Sequence, residues 1–190
     1  MTISIERPPA SSITLTEFLA LPETKPASEY LDGEIIQKPM PQGEHSLFQN
    51  ELLMRINQLG KPAKIVYAFP ELRCVFAGRA IVPDIAVFAW NNIPRTAEGK
   101  VANRFEIPPD WLIEILSPEQ SPNRVIKKIV FALKQGTQLA WLIDPMDESV
   151  TIFYPQSLPD IKEQEDLLPA LDGLQNWQLS VAEMFSWLAL

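Results

Sequence analysis

Two carboxylates and a pair of lysines are the residues with which this chain could do chemistry. Asp84 sits in the apolar run Ala80-Ile-Val-Pro-Asp-Ile-Ala-Val-Phe-Ala89, and Glu114 in Trp111-Leu-Ile-Glu-Ile-Leu116. Each acid interrupts a segment otherwise composed for burial, and an interior carboxylate is costly unless a cation or hydrogen-bond donors meet it. Strand alternation places Leu112, Glu114 and Leu116 on one face of their strand, and Val82, Asp84, Ala86 and Phe88 on one face of theirs. If the two strands are neighbours, the acids share a hard divalent cation such as Mg²⁺ or Mn²⁺, which takes oxygen ligands and keeps water in its shell. A nearby lysine, Lys127 or Lys128, would then orient that water or stabilise charge growing on a phosphoryl group.

The elements that must position these groups are legible in the patterning. Thr14-Leu-Thr-Glu17 has the form of a capping box and opens a short helix through Phe18, Leu19 and Leu21. Leu31-Asp-Gly-Glu34 reads as a tight turn, with extended chain before it and a strand at Ile35-Ile36-Gln37 after it. Phe48, Leu52, Ile56 and Leu59 recur on one helix face, with Gly60 and Pro62 expected to close that helix. The runs Lys64–Phe69 and Glu71–Phe76, then the turn Ala77-Gly-Arg79 into the Asp84 strand, suggest a meander of antiparallel strands. Residues 91–109 form a loop long enough to suggest a functional role. Beyond Glu114, the spacing of Ile126, Ile129, Val130 and Leu133 predicts a helix ending at Gly136. Leu139–Asp144 then reads as a strand buried on both faces, completing a βαβ unit. Ser149–Tyr154 is its hairpin partner, 155–176 is acidic and proline-punctuated with a solvated run at Glu163, Glu165 and Asp166, and Ser180-Val-Ala-Glu183 caps a final helix.

Composition narrows the function classes. At 190 residues the chain is long enough for one domain with a substantial core, expected over 14–190 after an N-terminal extension over 1–13. No apolar run approaches the roughly 20 residues needed to span a bilayer, and no secretory signal is evident, so a cytoplasmic location is expected. The single cysteine, Cys74, excludes an intrachain disulfide and a cysteine-cluster metal site, and its strand-like setting suggests an inert buried thiol. A formal net charge of -8 opposes any simple picture of a nucleic-acid binder, so phosphate contact would need a local cluster of cations and would be salt-sensitive. Nothing resembles a nucleophile elbow or a Gly-rich phosphate loop.

Taken together and in order, Val82-Pro-Asp84, Trp111-Leu-Ile-Glu-Ile-Leu-Ser-Pro118, Lys128, Gln135-Gly136 and Ala140-Trp-Leu-Ile-Asp-Pro145 resemble the Uma-type family of proposed endonucleases. Tyr30-Leu-Asp-Gly-Glu-Ile-Ile36 and His45 fit the same pattern. The resemblance covers roughly 14–188. It implies an α/β (α+β) fold of the PD-(D/E)XK restriction-endonuclease type, with a mixed central sheet flanked by helices. It also implies hydrolysis of nucleic-acid phosphodiester bonds, DNA above all, dependent on Mg²⁺ or Mn²⁺. Carried over by position, Asp84 and Glu114 become the metal ligands. The lysine, which a strict E-x-K motif would put at Leu116, comes from the following helix as Lys128.

Periodicity sets Lys128 roughly opposite the Ile126/Ile129/Val130/Leu133 stripe, so it reaches such a site only from the helix flank, with Lys127 as the fallback. His45 is readable as a metal or phosphate ligand or as a capping and packing residue. Glu71 and Arg73 are readable as site members or as a pair. A homodimer is expected, since a duplex has two strands to cut. The rival reading is a protein that keeps the fold for binding or assembly without efficient catalysis.

Overall fold

The computed structural model describes residues 13–118, 120–174 and 176–189; the N-terminal extension expected over 1–13 therefore lies outside the described residues except for Ile13. Two sheets share the chain. The smaller has the order β2-β1-β5-β4, built from β1 (Ser28–Leu31), β2 (Glu34–Gln37), β4 (Cys74–Phe76) and β5 (Arg79–Ile81). The larger is six-stranded, β10-β9-β8-β7-β6-β3, with β3 at Val66–Pro70, β6 at Ile85–Ala89, β7 at Trp111–Ile115, β8 at Leu139–Asp144, β9 at Ser149–Phe153 and β10 at Asp160–Glu163. Among the described strands of this sheet only β7 and β8 pair in parallel, and the helix α3 (Pro122–Lys134) makes the crossover between them. The fold is thus the mixed α/β arrangement expected from the sequence.

Alternation along the large sheet divides two cores. One face sends Val66, Ile85, Val87, Trp111, Ile113 and Trp141 against α2 (Gly43–Ala63) and α4 (Val181–Ser186). The opposite face sends Ala86, Phe88, Leu112, Leu116, Ala140 and Leu142 against α3. The tryptophans expected to fill the core do so, with Trp111 and Trp141 fully buried and their rings 4.8 Å apart. The helix α1 (Leu15–Ala20) carries the predicted capping box at Thr14 and packs Phe18 onto Tyr30 of the small sheet.

Three expectations are corrected. The stretch 64–89 is not one meander: β3 pairs with β6, whereas β4 forms a hairpin with β5 in the other sheet. Glu71 takes a positive φ of 43° just after Pro70 and turns the chain out of the large sheet. The run around Asp84 is likewise two strands, β5 and β6, parted at Val82-Pro83-Asp84, because Pro83 has no N–H to give a ladder. The third correction concerns α2, which passes through Gly60 and Pro62 and ends on Lys64 in the left-handed region. A proline in the last turn forfeits few helix bonds. The loop 91–109 is packed rather than open, with Ile93 and Phe105 buried and the Val75 N–H donating to the Phe105 carbonyl at 2.8 Å. No described helix is long and apolar enough to cross a membrane.

Gly60 has a packing role where a stop was expected. A Cβ there would lie 2.5 Å from Val66 Cγ2 and 2.7 Å from the Val66 carbonyl oxygen. Gly60→Ala is expected to destabilise the protein by about 1–3 kcal/mol in urea titration, the range for overpacking a filled core. Because one of the clashing atoms is backbone, adding Val66→Ala is expected not to restore the loss.

Candidate active site

Asp84 lies at the crossing between the sheets. Continuing the β6–β7 register, in which Ile85 pairs with Ile113, brings Asp84 opposite Glu114. The alternation that buries Ala86, Leu112 and Leu116 against α3 therefore turns both acids toward that helix. Asp84 is 2% exposed and Glu114 1% exposed, so neither can rely on water for its charge.

Their partners come from four different parts of the chain. Lys128, on α3, is buried, and its Nζ lies 2.8 Å from Glu114 Oε1 and 2.8 Å from Glu29 Oε1. Glu29, on β1, also accepts the Val82 N–H at 2.8 Å. Lys38, just beyond β2, contacts Asp84 Oδ1 and donates to the Val82 carbonyl at 2.9 Å. His45, in the first turn of α2, places Nε2 3.2 Å from Asp84 Oδ1. The second oxygen of Asp84 accepts the Ile115 N–H at 2.7 Å, which locks the acid onto β7.

The structure thus brings Asp84, Glu114, Lys128 and His45 together. It leaves Lys127 on the exposed side of α3 and Glu71 exposed, joined to the group only through its backbone N–H, which donates to the Asp84 carbonyl at 3.1 Å. Arg73 pairs with Glu23 at 3.7 Å instead of with Glu71. The expectation that Lys128 lies opposite the buried stripe of α3 is overturned. The buried positions are Val125, Lys128, Ile129 and Ala132, and Val130 is exposed. Helix rotation was misjudged because a lysine occupies one position of the buried face, where a pair of carboxylates replaces apolar contact.

Glu29 and Lys38 escaped the sequence reading. Glu29 stands in a strand too short to reveal its alternation, and Lys38 is a single cation between a strand end and Pro39. Burial is also no sufficient sign of a reactive acid. Asp110 is 6% exposed, yet its oxygens accept from Ala89 N–H and Asn92 Nδ2, each at 2.8 Å, and from Gln138 Nε2 at 3.1 Å. That satisfied set makes it a structural tie between the end of the 91–109 loop and the start of β8.

The electrostatics separate the two central acids. Burial pushes the Asp84 carboxyl up, but Lys38, the His45 hydrogen bond and Lys128 outweigh it and hold the group well below the usual carboxylate range. Burial also dominates at Glu114; Lys128 opposes it, Asp84 and Glu29 reinforce it, and the pKa rises to about 7. For Lys128 burial alone would favour the neutral amine, but Glu114, Glu29 and Asp84 together raise its pKa, so it stays charged. The two raised values on one pair are compatible, because Lys128 answers to three acids while Glu114 shares its cation. Glu114 Oε1 receives no well-aligned hydrogen bond, since Lys128 approaches it off the bonding direction.

That under-satisfied oxygen, the hard donor set and the excess of three acids over two ammoniums suit a divalent cation in charge and type. As the side chains stand, no three His, Cys, Asp or Glu groups among the described residues converge on one ion position. Elsewhere the buried Cys74 thiol is pushed up to about 12 by burial, in keeping with an inert core residue.

The raised Glu114 pKa fixes the sign of a pH effect. Its contribution to stability is full below the ordinary value of 4.5 and is lost as pH rises through about 7. In chelator, Glu114→Gln is therefore expected to gain stability relative to wild type between pH 5 and 8.5, by on the order of 3 kcal/mol at most. Thermal unfolding across that range checks it; parallel curves for the two proteins would show that Glu114 is ionised throughout.

Comparison with known proteins follows the same elements. The family model of Uma2, described as "Putative restriction endonuclease", matches residues 15–182. A crystal structure from Anabaena variabilis, described as a putative nuclease belonging to DUF820, is 51% identical to this chain. It superposes with a TM-score of 0.91, covering 93% of this chain and 99% of the other. No curated protein matches. The family match spans every residue of the buried cluster, from Glu29 on the first hairpin to Lys128 on the crossover helix, and the chain belongs to the Uma2 family.

Proposed function

We propose that this protein is a metal-dependent endonuclease that hydrolyses phosphodiester bonds, with DNA as its substrate. The observation that carries the reading is the buried group of Asp84, Glu114 and Glu29 gathered on Lys128, with one Glu114 oxygen lacking an aligned donor. The family description and the named nuclease of similar structure support it. Asp84 and Glu114 would hold Mg²⁺ or Mn²⁺, which supplies a bound water of lowered pKa and polarises a phosphoryl oxygen.

The protein's own residues do the rest. Asp84, held ionised, provides a carboxylate at all working pH values. Glu29 fixes Lys128, which remains an ammonium and stabilises charge growing on the phosphoryl oxygens. His45 donates from Nε2 to Asp84 and orients it. Glu29, Lys38 and Lys128 of the cluster line a cleft of about 220 Å³ together with Gln120, Ser121 and Arg124, while Asp84 and Glu114 lie buried behind them. Its cations supply the local positive field that the net charge of -8 denies the surface as a whole. A homodimer would present two such sites to the two strands of a duplex.

The neutralisation of the acids by two lysines favours a second reading, a fold kept for binding. Cleavage of supercoiled plasmid with Mn²⁺ or Mg²⁺ separates the two. The wild type is expected to nick and linearise it, and the folded Asp84→Asn, Glu114→Gln variant to lose at least about 100-fold in rate. DNA bound but left intact by both proteins would support the binding fold. A further outcome follows from the contact between Lys38 and Asp84. Lys38→Met is expected to bind Mn²⁺ about tenfold more tightly by calorimetry, because the ion no longer displaces an ammonium; equal affinities would mean that Lys38 does not compete.

A further inference from the structure

Beside the catalytic cluster lies a second cavity of different character. It holds about 440 Å³, within the range of small-molecule sites, and is walled by Leu116, Pro118, Pro122, Pro145 and Met146. Among the described residues its polar lining comprises Gln42, Glu44, His45, Ser117, Gln120 and Asp144. Two features tie it to the site. Leu116 and Ser117 continue the strand that carries Glu114, and His45 reaches from its wall to Asp84 at 3.2 Å. Gln120 lines both this cavity and the cationic cleft, so a ligand crossing that residue occupies both.

The chemistry of the walls selects the occupant. Glu44 and Asp144 oppose a phosphate here, whereas Lys38, Arg124 and Lys128 favour one in the cleft. Apolar walls of proline, leucine and methionine give a base ring a face to pack against. His45 is buried with Nε2 3.2 Å from Asp84 Oδ1, and its Nδ1 has no hydrogen-bond partner among the described residues. Asp144 commits one oxygen to the Met146 N–H at 3.0 Å and keeps the other. The Gln120 side chain accepts only a long 3.4 Å contact from the Ser117 N–H, which leaves its amide group to donate. The two carboxylates thus bring acceptors to the cavity, and the Gln42 and Gln120 amides and the Ser117 hydroxyl bring donors.

We infer that this cavity is a nucleobase pocket, and that it takes the base next to the scissile phosphate and prefers one with an exocyclic amino group. The inference rests on the nuclease reading above, and it names what that reading leaves open. An amino-bearing base such as cytosine or adenine offers its two amino N–H donors to Asp144 and Glu44 and a ring nitrogen to a glutamine amide. Thymine has a single ring N–H set between two carbonyl oxygens, which face the carboxylates unfavourably. The base enters flipped out of any stack, so the preference is expressed most directly on single strands.

Fluorescence anisotropy with the full chain, in chelator so that nothing is cut, tests this with labelled dC12, dA12 and dT12 at one salt concentration. The three strands carry equal backbone charge, so differences report the bases. The expected result is binding of dC12 and dA12 about tenfold tighter than dT12. In the Asp144→Asn, Glu44→Gln variant, which converts two acceptors into mixed groups, the ratio of dC12 to dT12 is expected to fall within twofold while affinity for all three rises. Equal affinities in the wild type overturn the pocket and leave the nuclease reading standing, as does a preference that survives in the variant. Failure of all three strands to bind, with plasmid still cut, also removes the pocket; failure of both binding and cutting removes the two readings together.

Discussion

The ammonium of Lys128 is the contact on which the rest of the site depends. It joins Glu29 of the first hairpin to Glu114 of the central sheet, and it does so from the helix that crosses between two parallel strands. Three segments separated by up to 99 residues are thereby held at one point. Such a contact gives little net stability over a well-packed apolar alternative, because three charged groups lose their water. Its one-sided loss is another matter: without Lys128, two acids would stand buried with no cation between them, a defect worth several kcal/mol.

The topology explains why the acids can meet at all. The chain leaves the small sheet at Ile81 and enters the large one at Ile85, and Asp84 occupies the last position of that crossing. Free of a ladder on its own strand, its side chain can accept from Ile115 N–H and remain open to Lys38 and His45. Burial prevails at Glu114, whereas at Asp84 Lys38, His45 and Lys128 outweigh it, and the two pKa values part in opposite directions. Environment alone thus gives the two carboxylates different protonation behaviour.

What could be read in the sequence follows from how far each signal reaches. Asp84 and Glu114 were legible because a charge inside a run of Val, Ile and Leu contradicts its surroundings locally. The βαβ unit and the capping box at Thr14 were legible for the same reason, since period and cap are properties of a few adjacent residues. Pairing was not. Nothing local says that β3 joins β6 while β4 turns away, because that depends on the backbone break at Glu71 and on which edges remain free. Lys128 was found through resemblance to a family and was set against its own helix pattern, which counted apolar side chains and missed that a paired lysine can belong to a buried face. Glu29 and Lys38 carry no contradiction in their own neighbourhoods, and their burial is visible only once the hairpin lies across the Asp84 crossing.

The ion pairs also bear on how three buried acids can be folded together. Three carboxylates brought together bare would repel one another strongly enough to oppose the closure of the two sheets. Lys38 and Lys128 remove most of that repulsion within the chain itself. The balance is not complete, however, since acids outnumber ammoniums, and the remainder is absorbed by the proton affinity of Glu114. On the reading proposed here, a divalent ion would replace the Lys38 contact beyond the end of β2 and leave the part tied to Glu29 in place. A lysine held by its own carboxylate can then stay beside the reacting phosphate while the lysine without one withdraws, which assigns the two cations different work from the same kind of side chain.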